Sequence, residues 1–146
     1  MEEKRGLYII LISSILAIIT SGYLLNLHYS ETESFCDVSQ EISCDIVNKS
    51  IYSEIYGIPV SLLGMLTFIF ISVLVLFALN NKKIFGFEKQ DMYDWIFWIM
   101  IFSIFFALYL VYIEIFVLYA VCPLCVLLDI LIVIVFVVVM KLRGKK

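Results

Sequence analysis

The chain alternates long apolar runs with short polar stretches. A helix needs roughly 20 apolar residues to cross a hydrocarbon core about 30 Å thick. Residues 7–27, 59–79, 93–116 and 122–140 each meet that length. None shows the short alternating pattern of a membrane β-barrel. The first run is too long, and lacks the small-residue cleavage site, for a removable secretion signal, so it too reads as a spanning helix. The polar stretch 31–57 carries a weaker pattern, with Val47, Ile51 and Ile55 at i, i+4 and i+8 inside 45–56. That spacing predicts one face of a short amphipathic helix, lying on the membrane surface over the mouth of the bundle. The expected fold is an all-α integral membrane protein, a single four-transmembrane-helix domain over 1–146 with that surface helix in its first outer loop. The segment 80–92 reads as a turn.

Composition narrows the class further. Of 146 residues, 64% are hydrophobic and 16% charged, with mean hydropathy +1.08. A soluble domain is about half apolar and about a quarter charged, so this chain lacks the polar surface to cover a soluble core. Disorder is excluded by the same excess of apolar and aromatic residues. A net charge of −3 and a pI near 5.0 argue against a nucleic-acid partner.

The placement of charge orients the bundle. Lys4 and Arg5 precede the first run, Lys82, Lys83 and Lys89 lie between the second and third, and Lys141, Arg143, Lys145 and Lys146 follow the fourth. With four crossings these nine of the ten basic residues share one side, and only Lys49 lies on the other. The positive-inside rule then predicts cytoplasmic termini. The stretch 31–57 becomes extracytoplasmic or luminal, with six acids (Glu31, Glu33, Asp37, Glu41, Asp45, Glu54) against one base. Most of those charges read as a solvated loop. Trp95 and Trp98 fall at the inner end of the third run, where interfacial aromatics belong.

The same orientation, derived without reference to cysteine, puts all four cysteines outside. Cys36 and Cys44 sit in the loop, and Cys122-Pro-Leu-Cys125 opens the fourth run. Disulfides persist on that side of a membrane and not in the cytosol. At a helix start the first-turn N–H groups and the helix dipole favour an anion, so the leading thiol of a Cys-x-x-Cys gives up its proton more readily. Pro123 suits a first turn, where a missing N–H costs nothing. Three readings compete. Four cysteines could bind zinc, but the seven residues between Cys36 and Cys44 exceed the usual two to four, and no metal is expected. They could be structural staples. Or the two pairs could exchange electrons by thiolate attack, linking a soluble partner to a lipid-phase carrier.

Beyond these patterns, the run Cys36-Asp-Val-Ser-Gln-Glu-Ile-Ser-Cys44, then Ser50, then Tyr56-Gly-Ile-Pro-Val-Ser-Leu-Leu-Gly64, then Cys122-Pro-Leu-Cys125 closely resembles the vitamin K epoxide reductase family across nearly the whole chain. Other four-helix disulfide/quinone oxidoreductases of bacteria carry their Cys-x-x-Cys near the second span, whereas this chain carries it on the fourth. The resemblance implies a four-helix bundle enclosing a quinone near its outer face. It implies that Cys36 takes electrons from a thioredoxin-fold protein, that Cys44 passes them to Cys122, and that Cys125 stands nearest the quinone. Ser50 matches the family's Ser/Thr on the capping helix. Ser53 and Asp129 stand where the resemblance puts an Asn and a Tyr of the mammalian members, which hydrogen-bond the quinone or epoxide oxygens. A Ser can donate one such bond, whereas Asp129 copies a phenol only when protonated. An ionisable group at that depth is costly and hence a functional candidate. Val47 and Tyr56 are further candidates for the quinone pocket, while His28 reads as solvated and Glu114 as snorkelling to the interface.

Together these readings predict an enzyme, a membrane thiol oxidoreductase that oxidises a thioredoxin-like partner and reduces a lipid quinone of the ubiquinone, menaquinone or vitamin K type. The partner is expected to be a separate chain, since only a short basic tail follows the fourth run. The alternatives are a reductase of vitamin K or its epoxide by the same relay, and a non-enzymatic membrane subunit stapled by disulfides.

Overall fold

The computed structural model describes residues 1–80 and 86–145. Lys82, Lys83 and Lys146, which contribute to the charge pattern, lie outside the described residues. Four long helices dominate: α1 (Glu2–Tyr29), α3 (Val60–Leu79), α4 (Lys89–Ile113) and α5 (Pro123–Arg143). All four are long and apolar enough to cross a membrane, the third when its π-helical extension Glu114–Leu118 is included. Between α1 and α3 stand a five-residue helix α2 (Cys44–Asn48), a 3-10 turn over Ile51–Ser53 and a two-stranded hairpin, β1 (Glu54–Ile55) against β2 (Ile58–Pro59).

Each long helix buries one stripe and turns the rest outward. Phe68, Ile71, Val75 and Ala78 of α3 pack with Leu131, Val135, Val139 and Leu142 of α5, Met92, Ile96 and Met100 of α4, and Leu7, Ile10 and Ala17 of α1. The three- and four-residue spacing of these positions is the seam of a helix bundle. α1 contributes small residues to its buried face, Gly6, Ser13, Ser14, Ala17 and Ser21. Lipid is as apolar as a leucine side chain, so close backbone approach is what favours helix association in a membrane. The outward faces carry large apolar groups such as Phe105, Leu108 and Val133, as a lipid-facing surface requires.

The two ends of the bundle differ. At one end α1, α4 and α5 are joined by polar side chains: the Tyr93 hydroxyl donates to Glu3 at 2.9 Å, Lys89 pairs with Glu3, Arg143 with Asp94, and Lys145 with Glu2. The Arg143 guanidinium also lies over the Phe97 ring, 4.4 Å from its centre. Trp95 and Trp98 are exposed on the first turns of α4, near that end. At the other end the α2 segment caps the bundle.

The amphipathic helix expected over 45–56 is shorter than its periodicity suggests. α2 stops at Asn48, and the chain turns through Ile51–Ser53 into the hairpin. The Ser50 hydroxyl donates to the Val47 carbonyl at 2.8 Å, and Ser53 lies within bonding distance of the Asn48 and Ser50 carbonyls, at 2.6 and 2.7 Å. Local side-chain bonds of this kind offer the backbone an alternative to continuing the helix. The hairpin then turns on Tyr56 (φ 52°) and Gly57 (φ 80°), the positive pair that a two-residue loop demands.

Ile71 is fully buried between helices, whereas Phe105 faces outward. Ile71→Ala is expected to destabilise the bundle by about 2–4 kcal/mol, as large-to-small core changes do. Phe105→Ala is expected to stay within about 0.5 kcal/mol. Reversible unfolding in mixed micelles checks both.

Candidate functional site

The loop between α1 and α2 folds back on the approach to α5. Val121 N–H donates to the Glu41 carbonyl at 2.8 Å, and Ser43 N–H donates to the Val121 carbonyl at 3.1 Å, forming a parallel bridge between Ile42 and Val121. Cys44 and Cys122 follow within two residues of that bridge. Ser43 caps α2, its hydroxyl accepting the Ile46 N–H at 3.1 Å. Asp45 braces the loop from the other direction by accepting the Ser34 N–H at 2.9 Å.

The four cysteines come together in consequence. Cys36 and Cys44 form a disulfide with Cα atoms 5.7 Å apart. Cys36, Cys44 and Cys122 share one buried cluster with Leu24, Leu27, Val47 and Ala120, and Cys125 packs against it. Cys122 and Cys125 are free thiols. Cys122 is the N-cap of α5, Pro123 occupies the first turn, and the Cys125 N–H donates to the Cys122 sulfur at 3.3 Å. A backbone donor thus points at the sulfur expected to carry charge. Among the described residues no group of three or more His, Cys, Asp or Glu side chains is arranged to hold a metal ion.

Beneath this cluster lies a cavity of about 350 Å³, walled mainly by apolar side chains. Its volume falls in the roughly 300–1,000 Å³ range of small-molecule sites. Cys125 and Asp129 reach it from α5, and Val47, Ser50 and Ser53 from the cap. The geometry therefore brings together eight of the nine residues singled out in the sequence, as cysteine cluster or cavity wall. The ninth, Tyr56, is a correction. It stands fully exposed at the hairpin turn, where its positive φ carries it away from the cavity, and Tyr52 lines the wall instead. The hydroxyls of Ser50 and Ser53 are already engaged with backbone carbonyls, so these serines shape the cap first.

Three residues at this end of the bundle stand differently from what the sequence suggests. Glu114 does not snorkel. It is 4% exposed, lines the cavity, and accepts the Cys122 N–H at 3.3 Å. The π-helical turn and the left-handed Tyr119 (φ 52°) double the chain back, so that Glu114 lies under the cysteine that follows eight residues later. His28 is not freely solvated either: its ring contacts the Asn48 carbonyl and the Glu54 carboxylate, each at 2.7 Å. Both partners are acceptors, so the ring satisfies both when each nitrogen carries a proton. Asn48 in turn donates from Nδ2 to the Leu24 carbonyl at 2.7 Å, tying the end of α2 to α1. A lone acid in an apolar run was the available signal for Glu114; Asn48 offered none.

The model of the vitamin K epoxide reductase family matches residues 8–140. The chain belongs to that family. No curated protein matches it. Membership implies membrane disulfide/quinone redox function, carried by an oxidoreductase on a four-helix membrane fold.

In this family member Asn48 ties the cap to α1 twice, through its amide to Leu24 and its carbonyl to His28. Asn48→Leu removes a buried hydrogen bond, which is expected to weaken cap closure by about 1.4 kcal/mol and raise amide exchange across 45–53 roughly tenfold. Hydrogen-exchange mass spectrometry of the detergent-solubilised protein checks this, with exchange in the middle of α3 unchanged.

Proposed function

We propose that this protein oxidises the dithiol of a separate thioredoxin-fold protein on the extracytoplasmic or luminal side and reduces a lipid quinone within the membrane. The observation that carries the reading is the buried cluster in which the Cys36–Cys44 disulfide meets Cys122, while Cys125 faces an apolar cavity. A staple alone gives no reason to bury a second, free pair beside the first and turn one of its thiols toward a cavity.

In the proposed cycle a partner thiolate attacks the Cys36–Cys44 disulfide at Cys36, forming a mixed disulfide and releasing Cys44 as thiolate. The partner's second thiol resolves that bond and leaves with the new disulfide. Cys44 then attacks the Cys122–Cys125 disulfide at Cys122, and Cys36 closes on Cys44 to leave both inner thiols reduced. The present arrangement, outer pair joined and inner pair free, corresponds to this electron-loaded form. A bound quinone supplies an acceptor for two electrons and two protons. Cys125, at the cavity wall, hands over the electrons as the Cys122–Cys125 bond reforms, and the two thiols release the two protons. Asp129 and Glu114 are carboxyl groups at the same cavity able to carry those protons. Val47 and Asp129 are proposed to contact the ring, with Ser50 and Ser53 holding the cap above it.

The proposed sidedness rests on charge. Lys89, Arg143 and Lys145 gather at the end opposite the cysteines, where a cytoplasmic face would have them. A membrane-impermeant thiol reagent is expected to label reduced Cys36 from outside intact cells or spheroplasts, and labelling only after lysis would reverse the orientation.

Mixing the purified protein with a reduced thioredoxin-like protein and ubiquinone-1, and following quinone absorbance, tests the chemistry. Cys125→Ala is expected to fall to the background rate while still exchanging disulfides at Cys36. Undiminished quinone reduction by that variant would remove the relay.

A further inference from the structure

A hydroxyl on a membrane helix ordinarily folds back to the carbonyl four residues earlier. On the cavity wall Thr67 does so to Leu63 and Ser103 to Ile99, each at 2.8 Å, and the cap serines bond to nearby carbonyls. Ser21 of α1 and Ser61 of α3 do neither. Both line the cavity, they are 0% and 9% exposed, and among the described residues neither Oγ has a hydrogen-bond partner. Gly64, one turn after Ser61 and also on the wall, has no side chain to cover them: a Cβ there would lie 3.5 Å from the Ser21 oxygen. Two buried, unpartnered hydroxyls thus belong to one stretch of wall, between α1 and α3, separate from the α5 wall that carries Cys125 and Asp129.

The geometry points to Ser21 and Ser61 as a hydrogen-bonding subsite for a carbonyl oxygen of the quinone, the one remote from Cys125. This rests on the quinone reading above and adds how the ring is oriented. A 1,4-quinone carries two carbonyl oxygens and no donor of its own. One oxygen belongs near the thiol and carboxyl groups of α5 and α4, which deliver electrons and protons. The other then needs a neutral donor set in an otherwise apolar wall, and these hydroxyls provide it. The competing explanation is packing, since serine is small and α1 and α3 are close. Alanine preserves that packing and removes only the donor, which separates the two.

The test uses the full chain in detergent with both cysteine pairs oxidised, so that binding is read without turnover. Ubiquinone-1 and 2,3-dimethyl-1,4-naphthoquinone are titrated and the ligand-dependent rise in melting temperature gives the affinity. The melting temperature without ligand reports the folding of each variant in the same scan. Ser21→Ala and Ser61→Ala are each expected to weaken binding about 3- to 10-fold, the worth of one neutral hydrogen bond. Ser14→Ala is the control: Ser14 is buried and unpartnered on the same helix but does not line the cavity, and its loss is expected to leave binding unchanged. Unaltered affinity in both Ser21→Ala and Ser61→Ala, with the parent binding, overturns the subsite and leaves the quinone reading standing. A parent that binds neither quinone overturns both.

Discussion

Two backbone hydrogen bonds govern the redox end of this protein, those that Val121 makes to Glu41 and Ser43. The first pair of cysteines lies in a loop and the second at a helix start, nearly eighty residues away in the chain. Nothing in either segment alone makes them meet. The parallel bridge does so by register, because Cys122 directly follows Val121 and Cys44 lies two residues after Ile42. A slip of one residue in that pairing would carry Cys44 out of line with Cys122. The bridge is made of main-chain groups, so the alignment does not depend on any sulfur–sulfur bond. Burial of Leu24, Leu27, Val47 and Ala120 around the sulfurs then gives the assembled end its small apolar core.

The rest of the cap obeys a second constraint. Irregular backbone near the hydrocarbon region is tolerable only when its polar groups find partners within the protein. Here the Asn48 carbonyl meets His28 and Ser53, the Asn48 amide reaches the Leu24 carbonyl, and Ser50 closes on Val47. These bonds are buried or half-buried and cross between elements. At the opposite end the ion pairs of Glu2 and Glu3 are exposed, where such pairs contribute little to stability, and the Asp94–Arg143 pair is half-buried. The cap end is thus fastened mainly by hydrogen bonds between its own irregular backbone and α1, and the other end mainly by ion pairs between helices.

The sequence carries these features unequally. The second apolar run, 59–79, matches α3 almost to the residue, whereas α1 extends back to Glu2 through four charged residues. Hydropathy reports the depth of lipid, and hydrogen bonding continues a helix beyond it. The cysteines were legible because they are rare and their spacing is chemical. The cap differs because periodicity at Val47, Ile51 and Ile55 measures which face is apolar, and cannot register the local turn that Ser50 and Ser53 stabilise. Glu114 looked like an interfacial acid because its placement depends on the π-helical turn and the left-handed Tyr119. Both are backbone events with no side-chain signature. Ser21 and Ser61 were silent for a related reason: a serine in an apolar run looks the same whether it back-bonds or stands free.

Those silent residues bear on the oldest feature of the chain, its apolar excess. In water an apolar cavity attracts an apolar ligand by the hydrophobic effect. In a membrane that driving force vanishes, because the bilayer solvates the ligand as well as the cavity does. An apolar wall here can admit a quinone but cannot prefer it to lipid, and cannot tell its ring from its tail. Preference must come from the few polar groups and from shape. Under the proposed function, the free hydroxyls of α1 and α3 and the acids of α4 and α5 are what distinguish a headgroup from hydrocarbon. A cavity of the same volume without them would fill with acyl chain, and the thiol of Cys125 would face no acceptor.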